Sequence, residues 1–449
     1  MGSSNTSRLV SAKEVAHQDS ADDCWVVIDN QVWDVTAFAT GHPGGADTIL
    51  QHAGGDATEA YNEVHGPATI KTLPATQLIC QLDLSSINEA WGNRLRPLAQ
   101  TQKTKPPLNT LLSTHDFEDA ARNSLSKKAW AFYSSAATDL ISHHSNKELY
   151  RRIWMRLRLL RDVFVVSTRT NILGVKFDLP VVAAPVALAR LAHPEGERGI
   201  AHACAQKNID YCIPITASIP AEEIIGSVSS VDPFFFQLYV NKDRTSSEPI
   251  LQRIWGLGIR TLFVTIDSPV PGKREADERV RAEQSISMPM TGTKSSRDGK
   301  GGGITRTTGS FIDNSLCWED LAWLRMHWQG RLVLKGIQSV EDALMAVESR
   351  INGIVLRNLD TSPPAILTVL ELNRHCPHVL RETEVLVDGG IRRGTDILKA
   401  ICLGARGVLI GRPVMYALSY GQEGVEHLID RIFSSFSLTI DSSRRLTLR

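Results

Sequence analysis

Short runs of apolar, often β-branched residues recur eight times between residues 181 and 410, and helix-like stretches separate them. The runs are Val181–Ala184, Tyr211–Ile215, Phe234–Leu238, Thr261–Thr265, Arg331–Lys335, Gly353–Leu356, Val385–Asp388 and Gly407–Ile410. Continuous apolar runs are typical of strands that are buried on both faces. Strands that alternate with helices form right-handed βαβ units and a parallel sheet. Eight successive units therefore predict an α/β fold, a closed (β/α)8 TIM barrel.

Two changes in composition divide the 449-residue chain. Residues 8–82 form a first domain with a centre rich in glycine and histidine, and residues 113–449 carry the eight apolar runs. Residues 83–112 are mostly polar and include Pro106-Pro107, which favours an extended linker. Residues 291–310, between the fourth and fifth runs, are almost devoid of apolar side chains, so we expect a mobile loop near this segment.

Composition excludes several classes of protein. Lysine plus arginine and aspartate plus glutamate each total 49, so there is no basic excess of the kind that nucleic-acid binding requires. No apolar run reaches the roughly 18 residues of a membrane-spanning helix. The first ten residues have neither the apolar core of a signal peptide nor the arginine-rich pattern of a transit peptide, which predicts a cytoplasmic protein.

A histidine pair in the first domain suggests a haem site. His42 lies in Gly41-His42-Pro43-Gly44-Gly45, and His65 follows 23 residues later. Glycine turns let the backbone approach a flat ligand, and two imidazoles can fill both axial positions of a haem iron. The alternative is a pair of surface histidines in a glycine-rich loop.

From Trp25 to His65 this stretch resembles cytochrome b5 domains. The resemblance covers about 75 residues and implies a small α+β domain that binds haem b through His42 and His65. Two protein ligands leave the iron no open position, so such a haem transfers electrons and does not activate oxygen.

Glycines and charged residues follow several of the eight runs. In a (β/α)8 barrel the active site lies at the carboxyl ends of the strands, where these residues would be placed. Gly389-Gly390 follow the seventh run, and Gly411-Arg412 follow the eighth. Glycines there allow backbone N–H groups to approach a phosphate, and arginine adds charge-assisted hydrogen bonds. Lys335, at the end of the fifth run, can lie against a flavin ring and stabilise its reduced form. The alternative is a set of loop glycines and solvated charges.

These segments resemble the FMN-dependent L-2-hydroxy-acid oxidase and dehydrogenase family, from about residue 8 to residue 440 if the haem domain is included. The domain order is similar to that of the flavocytochromes b2, the L-lactate cytochrome c reductases. The resemblance implies flavin-ring contacts from Gln237, Thr265 and Lys335, and a back face lined by Pro185, Val186 and Ala187. It implies phosphate binding by Asp388, Gly389, Gly390, Arg392, Gly411 and Arg412. Val186 and Pro214 replace a threonine and a serine that are usual in the family, so two flavin hydrogen bonds are lost.

The sequence departs from the family where the catalytic base is expected. The family places a histidine after strand six, in a Ser-Asn-His-Gly-x-Arg-Gln-Leu-Asp segment. This chain is shorter there and continues with Arg357-Asn358-Leu359-Asp360. Either Leu359 replaces the histidine, or the histidine is deleted and Arg357 is kept as a ligand for the substrate carboxylate. We favour the deletion, and both alignments remove the base.

A second departure lies near the start of the barrel domain. Phe132 stands where the family has a tyrosine that binds the substrate carboxylate. Asp267, which orients the histidine in the family, is retained but has no histidine to orient. The candidate catalytic residues are therefore Tyr239, Asp267, Arg274 and Arg357.

The resemblance predicts an oxidoreductase in which electrons pass from a small-molecule substrate to FMN and then to haem. The missing base predicts a substrate other than L-lactate, in keeping with a specialised metabolic pathway. Two alternatives stay open: an L-lactate or other L-2-hydroxy-acid dehydrogenase (cytochrome), and a non-catalytic cofactor-binding protein. We expect an electron acceptor such as a cytochrome c, and a homo-oligomer is compatible with the sequence.

Overall fold

The computed structural model describes residues 9–42, 46–58, 61, 70, 73–87, 91, 105–156, 167–228, 234–270, 272–280, 286–295, 303–305, 309–359 and 362–443. The chain divides into two compact units, residues 1–104 and residues 105–449. Among the helices in these ranges, none combines the length and the apolar composition needed to cross a bilayer.

The first unit is built on a five-stranded sheet with the spatial order β1-β5-β3-β2-β4. Its strands are β1 Leu9–Ser11, β2 Trp25–Ile28, β3 Gln31–Asp34, β4 Gly55–Asp56 and β5 Leu78–Asp83, and its helices include α1 Ala12–Val15, α2 Thr36–Ala39 and α3 Ala46–Leu50. Asp29 and Asn30 connect β2 to β3 with φ angles of 50° and 62°. These two residue types tolerate positive φ, which a two-residue hairpin turn of this kind requires.

The second unit contains the predicted closed barrel of eight parallel strands, in the order β10-β11-β14-β15-β16-β17-β8-β9. The barrel strands are β8 Val181–Ala183, β9 Asp210–Pro214, β10 Phe235–Leu238, β11 Thr261–Thr265, β14 Arg331–Ile337, β15 Gly353–Leu356, β16 Glu384–Asp388 and β17 Gly407–Ile410. A two-stranded sheet, β6 Thr170–Ile172 with β7 Val175–Phe177, precedes them. The predicted fold class is confirmed, and the strand ends differ from the predicted runs by a residue or two.

Helices surround the barrel and explain the apolar runs. They are α4 Thr114–Ser124, α5 Lys127–Ser134, α6 Ile141–Arg152, α7 Gly196–Gln206, α8 Ala221–Gly226, α9 Glu248–Gly256, α10 Glu275–Arg279, α11 Leu321–His327, α12 Val340–Glu348, α13 Ala365–His375, α14 Val379–Glu382, α15 Gly394–Cys402, α16 Arg412–Leu418 and α17 Gly421–Ser443. Each barrel strand sends at least one apolar side chain into an interior cluster, and its neighbours pack in the larger cluster that includes the helices. Both faces of each strand are therefore buried.

The segment at 291–310 is more ordered at its start than a plain loop. β12 Ile286–Met288 pairs antiparallel with β13 Thr293–Ser295. Residues 296–302 and 306–308 lie outside the described residues. The mobility of this segment stays a prediction.

Candidate active site and cofactor sites

The carboxyl ends of the barrel strands surround a cavity of about 490 Å³. Small-molecule sites are typically about 300–1,000 Å³, so this cavity is of the size that a cofactor requires. Parallel strands bring their carboxyl ends to one rim, and this places residues that are far apart in sequence around one space. Every residue that the sequence predicted for the flavin and the substrate lines it: Pro185, Val186, Ala187, Gln237, Tyr239, Thr265, Asp267, Arg274, Lys335, Arg357, Asp388, Gly389, Gly390, Arg392, Gly411 and Arg412. Their individual roles stay predictions.

One end of the cavity is formed by the glycines that follow β16. Gly389 and Gly390 have φ angles of 111° and 81°, in the region that favours glycine. A Cβ atom on Gly390 would lie 2.3 Å from the carbonyl oxygen of Asn146, so helix α6 packs directly on this turn. The close approach requires glycine, and it leaves backbone groups accessible to a ligand.

Two arginines, the buried Arg392 and the half-buried Arg412, lie at the same end. Arg412 donates through Nε to the carbonyl of Tyr133 and through Nη2 to that of Ser135, both at 2.9 Å. Arg392 pairs with Glu118 at 2.8 Å. Burial lowers the pKa of Arg412 to about 10, and nearby arginines act in the same direction. A buried cation among other cations is stabilised when an anion binds.

The charge of the whole lining favours an anionic ligand. Six cationic side chains line the cavity, against two carboxylates, those of Asp267 and Asp388. The cations are Lys147, Arg274, Lys335, Arg357, Arg392 and Arg412. The residues present therefore fit a group such as FMN, whose phosphate is anionic, together with a substrate carboxylate.

The middle of the cavity presents polar groups in fixed orientations. Gln237 donates through Nε2 to Thr265 Oγ1 at 3.0 Å, and its Oε1 accepts from the N–H of Ile215 at 3.4 Å. Lys335 is only 1% exposed and lies 3.3 Å from Asp388. Burial lowers the pKa of Lys335, Arg357 lowers it further, and Asp388 opposes both effects. These groups fit the polar edge of a flavin ring.

Arg357, directly after β15, lies between the two carboxylates. Its Nη1 is 3.3 Å from Asp267 Oδ2, and its Nε is 3.5 Å from Asp388 Oδ2. Burial acts to lower the pKa of Arg357, but the two carboxylates outweigh it and raise that pKa above its ordinary value. Asp267 therefore has a partner that was not predicted from the sequence, and that partner is a permanent cation and not a base.

The substrate side of the cavity holds Tyr239, Arg274 and Phe132. Burial, together with Asp267, raises the pKa of Tyr239 to about 12, so its phenol is neutral at physiological pH. Arg274 donates through Nη1 to the carbonyl of Phe132 at 3.3 Å, and its guanidinium lies 5.9 Å from the centre of the Phe132 ring. A neutral phenol and a guanidinium can both donate hydrogen bonds to a carboxylate.

Sequence reasoning missed several polar residues of the lining: Ser142, His143, Asn146, Lys147, Thr216 and Asn358. His143 is among them because α6 turns it toward the cavity. Asn146 Nδ2 donates to Asn358 Oδ1 at 2.7 Å, which links α6 to the shortened segment after β15. The spacing of His143 and Lys147 in α6, four residues apart, was the available signal.

In the first unit, His42 follows α2 and is half-buried. Its ring meets the Phe38 ring edge-on, with 5.7 Å between centroids. The unit has an apolar core that includes Trp33 and Ile70, so an imidazole and apolar packing, both of which fit haem, occur in the same small unit. His65, the second predicted ligand, lies outside the described residues.

A barrel of this kind in one chain with a small unit that carries a predicted haem ligand is typical of the class of flavohaem oxidoreductases. The sequence model of the FMN-dependent dehydrogenase family matches residues 121–441. That of the cytochrome b5-like heme/steroid binding domain matches residues 11–83. The chain belongs to the FMN-dependent dehydrogenase family and carries an N-terminal cytochrome b5-like domain.

Curated relatives include both cytochrome-linked and peroxisomal enzymes. The chain is 37% identical over 445 residues to an L-lactate dehydrogenase (cytochrome) of Saccharomyces cerevisiae, covering 94% of this chain and 75% of that one. It is 36% identical over 341 residues to the peroxisomal (S)-2-hydroxyacid oxidase GLO4 of Arabidopsis thaliana, covering 74% of this chain and 93% of that one.

Solved structures give the same family. A flavocytochrome b2 mutant with benzoylformate superposes with a TM-score of 0.69 at 35% identity, covering 77% of this chain and 88% of that one. Mandelate oxidase with (S)-4-hydroxymandelic acid superposes with a TM-score of 0.69 at 33% identity, covering 75% of this chain and 98% of that one. The protein is thus an oxidoreductase whose cofactors are FMN and haem.

Proposed function

We propose that this protein oxidises an anionic small molecule other than L-lactate, with electrons passing from the substrate to FMN and then to haem. When bound, FMN supplies a two-electron acceptor, and haem supplies a one-electron relay. Arg274 and Tyr239 bind the substrate carboxylate in this proposal, and Lys335 places a positive charge beside the flavin ring. A soluble cytochrome such as cytochrome c is the proposed final acceptor.

The observation that carries the proposal is the position of Arg357, 3.3 Å from Asp267. Oxidation of a hydroxy acid to a keto acid removes a proton as well as two electrons, and a positioned base contributes about 10²–10⁴-fold to such a step. Arg357 cannot accept that proton, because its two carboxylate partners keep it charged. Tyr239 is neutral, and a neutral phenol is a proton donor, not a base.

The chemistry of the lining also indicates a substrate class. A substrate that is already ionised at the reacting carbon, or that is readily ionised in water, needs no base from the protein. Arg274 and Arg357 add positive charge to the cavity and would favour such an anion. A carbon acid that carries a carboxylate both ionises without a base from the protein and is attracted to the cationic cavity. L-lactate is attracted by its carboxylate, but its weakly acidic hydroxyl does not ionise without a base.

A second candidate is dehydrogenation of L-lactate or another L-2-hydroxy acid. It is favoured by the 37% identity to the yeast enzyme of that name over 94% of this chain. Tyr239, Arg274 and Lys335 are also all present in the lining. This candidate requires a base other than the family's histidine, and the one histidine among the described lining residues is His143, which lies on α6 beside Asn146 and Lys147.

An anaerobic substrate screen separates the two candidates. The full-length protein, with both cofactors loaded, is mixed with simple L-2-hydroxy acids and, separately, with carboxylate-bearing carbon acids, and the flavin and haem absorbances are followed. We expect a carbon acid to reduce the flavin first and the haem second. Reduction by simple L-2-hydroxy acids alone would overturn the proposal and favour the second candidate.

A further inference from the structure

Helix α6 presents a row of polar side chains to the flavin cavity. His143, Asn146 and Lys147 all line the cavity, and their spacing of three and four residues places them on one face of the helix. His144, next in sequence to His143, is exposed. The notable residue is His143, because the predicted phosphate site contained two arginines and no histidine.

Asn146 fixes this face of α6 at the glycine turn. The Asn146 backbone carbonyl is so close to Gly390 that a Cβ atom there would lie 2.3 Å away. The Asn146 side chain also donates to Asn358 at 2.7 Å. His143 and Lys147, one turn apart and flanking Asn146, are thereby held at the end of the cavity where the glycine turn and the arginines lie.

The charges that face His143 are mostly positive. Burial lowers the pKa of His143 to about 2, and the cations around it act in the same direction. The groups concerned, in order of effect, are Arg412, Lys147, His144 and Arg392. Glu118 is a carboxylate that pairs with two of these cations, with oxygens 3.9 Å from Lys147 and 2.8 Å from Arg392. Glu118 is therefore shared between two cations.

An anion bound at this end of the cavity would offset the excess of positive charge that disfavours protonation of His143. A phosphate dianion among Arg392, Arg412 and Lys147 neutralises the charges that disfavour an imidazolium. It also offers oxygens to which an imidazolium can donate hydrogen bonds. The same ligand that stabilises Arg392 and Arg412 therefore stabilises a protonated His143.

We propose that His143 and Lys147 complete the site for the FMN phosphate with Arg392 and Arg412, and that FMN binding is coupled to the uptake of one proton by His143. The proton comes from solvent and forms an N–H bond on the imidazole. No other bond forms or breaks, and no oxidant is required. FMN affinity is then a function of pH, because the complex holds one more proton than the separated protein and cofactor.

Calorimetry tests the proton uptake directly. Full-length protein freed of flavin is titrated with FMN in two buffers of different ionisation enthalpy, at a slightly alkaline pH where a phosphate monoester, with its second pKa at about 6, is a dianion. We expect the enthalpies to differ by an amount that corresponds to about one proton per FMN. Equal enthalpies in the two buffers would overturn the proposal.

Two variants and a phosphate-free ligand test whether His143 takes up the proton and whether the phosphate is required for it. His143→Leu removes the imidazole at similar size and should abolish the uptake, whereas His144→Leu, the same change at an exposed neighbour, should retain it. Riboflavin, which lacks the phosphate, should bind without proton uptake and should show that the His143→Leu variant is folded. Unchanged uptake in His143→Leu, or equal uptake with riboflavin, would overturn the proposal.

The dependence of FMN affinity on pH gives a second, independent readout from flavin fluorescence quenching. For the unmodified protein, above the second phosphate ionisation, the affinity should fall by up to about tenfold per pH unit as pH rises. In His143→Leu it should be nearly constant over the same range. An equal slope in both proteins would contradict the role of His143.

Discussion

Arg357 is the residue at which the chemistry of this chain departs from that of its family. Its guanidinium lies 3.3 Å from Asp267, whose side chain is fully buried. Arg357 itself is 27% exposed, but removing it leaves the buried Asp267 carboxylate uncompensated, which typically costs about 3–5 kcal/mol of folding free energy. We therefore expect Arg357→Leu to destabilise the protein by this amount at neutral pH, as measured by urea unfolding of the full chain.

A surface pair provides the matched control for that variant. Arg253 pairs with Glu222, and the two side chains are 42% and 38% exposed. Exposed pairs contribute about 0–1 kcal/mol, so Arg253→Leu should cost little. Equal losses in the two variants would mean that the Arg357 pair is not buried in solution, and the account of the missing base would lose its structural support.

At the scale of single residues, the sequence predicted which residue types occupy the site better than which of them contact each other. The absence of the histidine base could be read from Arg357-Asn358-Leu359-Asp360 directly. The pairing of Arg357 with Asp267 could not, because it depends on the ends of β11 and β15 meeting at one rim. The position of His143 was missed for the same reason, since α6 precedes the barrel strands and reaches the cavity only through tertiary packing.

The turn after β16 is the element on which the predicted phosphate site depends. Gly390 has φ of 81°, and a Cβ atom would lie 2.3 Å from the Asn146 carbonyl oxygen. Gly390→Ala must therefore displace either the turn or helix α6. We expect this variant to purify with much less FMN than the unmodified protein, as measured by flavin released on heating.

Gly258→Ala separates steric displacement from backbone strain. Gly258 has φ of 91°, similar to that of Gly390, but no atom lies within 4 Å of the position of its Cβ. The alanine variant there should lose roughly 1–2 kcal/mol through the left-handed backbone alone and keep its FMN. Equal FMN loss in the two variants would contradict the importance of the α6 contact.

The barrel elements were predictable because their signal is strong. Strands buried on both faces must be apolar along their length, and all eight runs became barrel strands. The β12–β13 hairpin was not predicted, because Thr293–Ser295 is polar and its pairing with Ile286–Met288 leaves no alternating apolar pattern. Whether a short polar segment forms a strand depends more on pairing with a neighbouring strand than on its own amino-acid composition.

At the scale of the whole molecule, electron transfer from flavin to haem requires that the first unit bind a haem. His42 and His65 are the proposed axial ligands, and two imidazoles give a six-coordinate, low-spin iron. We expect the purified protein to show a low-spin b-type spectrum that is lost in His42→Ala and in His65→Ala. His17→Ala, at an exposed position in the same unit, should leave the spectrum unchanged. A high-spin spectrum in the unmodified protein would contradict bis-histidine ligation.

Stopped-flow reduction of the flavin by L-lactate tests most directly whether the flavin site lacks the family's histidine base, in whose place the described residues after β15 present Arg357, Asn358 and Leu359. The full-length protein with both cofactors loaded is mixed anaerobically with millimolar L-lactate. We predict flavin reduction at least about a hundredfold slower than in a family member with the histidine, the low end of what a positioned base contributes. Weak inhibition by lactate is compatible with the account, because Arg274 and Tyr239 still line the cavity. Flavin bleaching within seconds would contradict the account and would mean that another residue serves as the base.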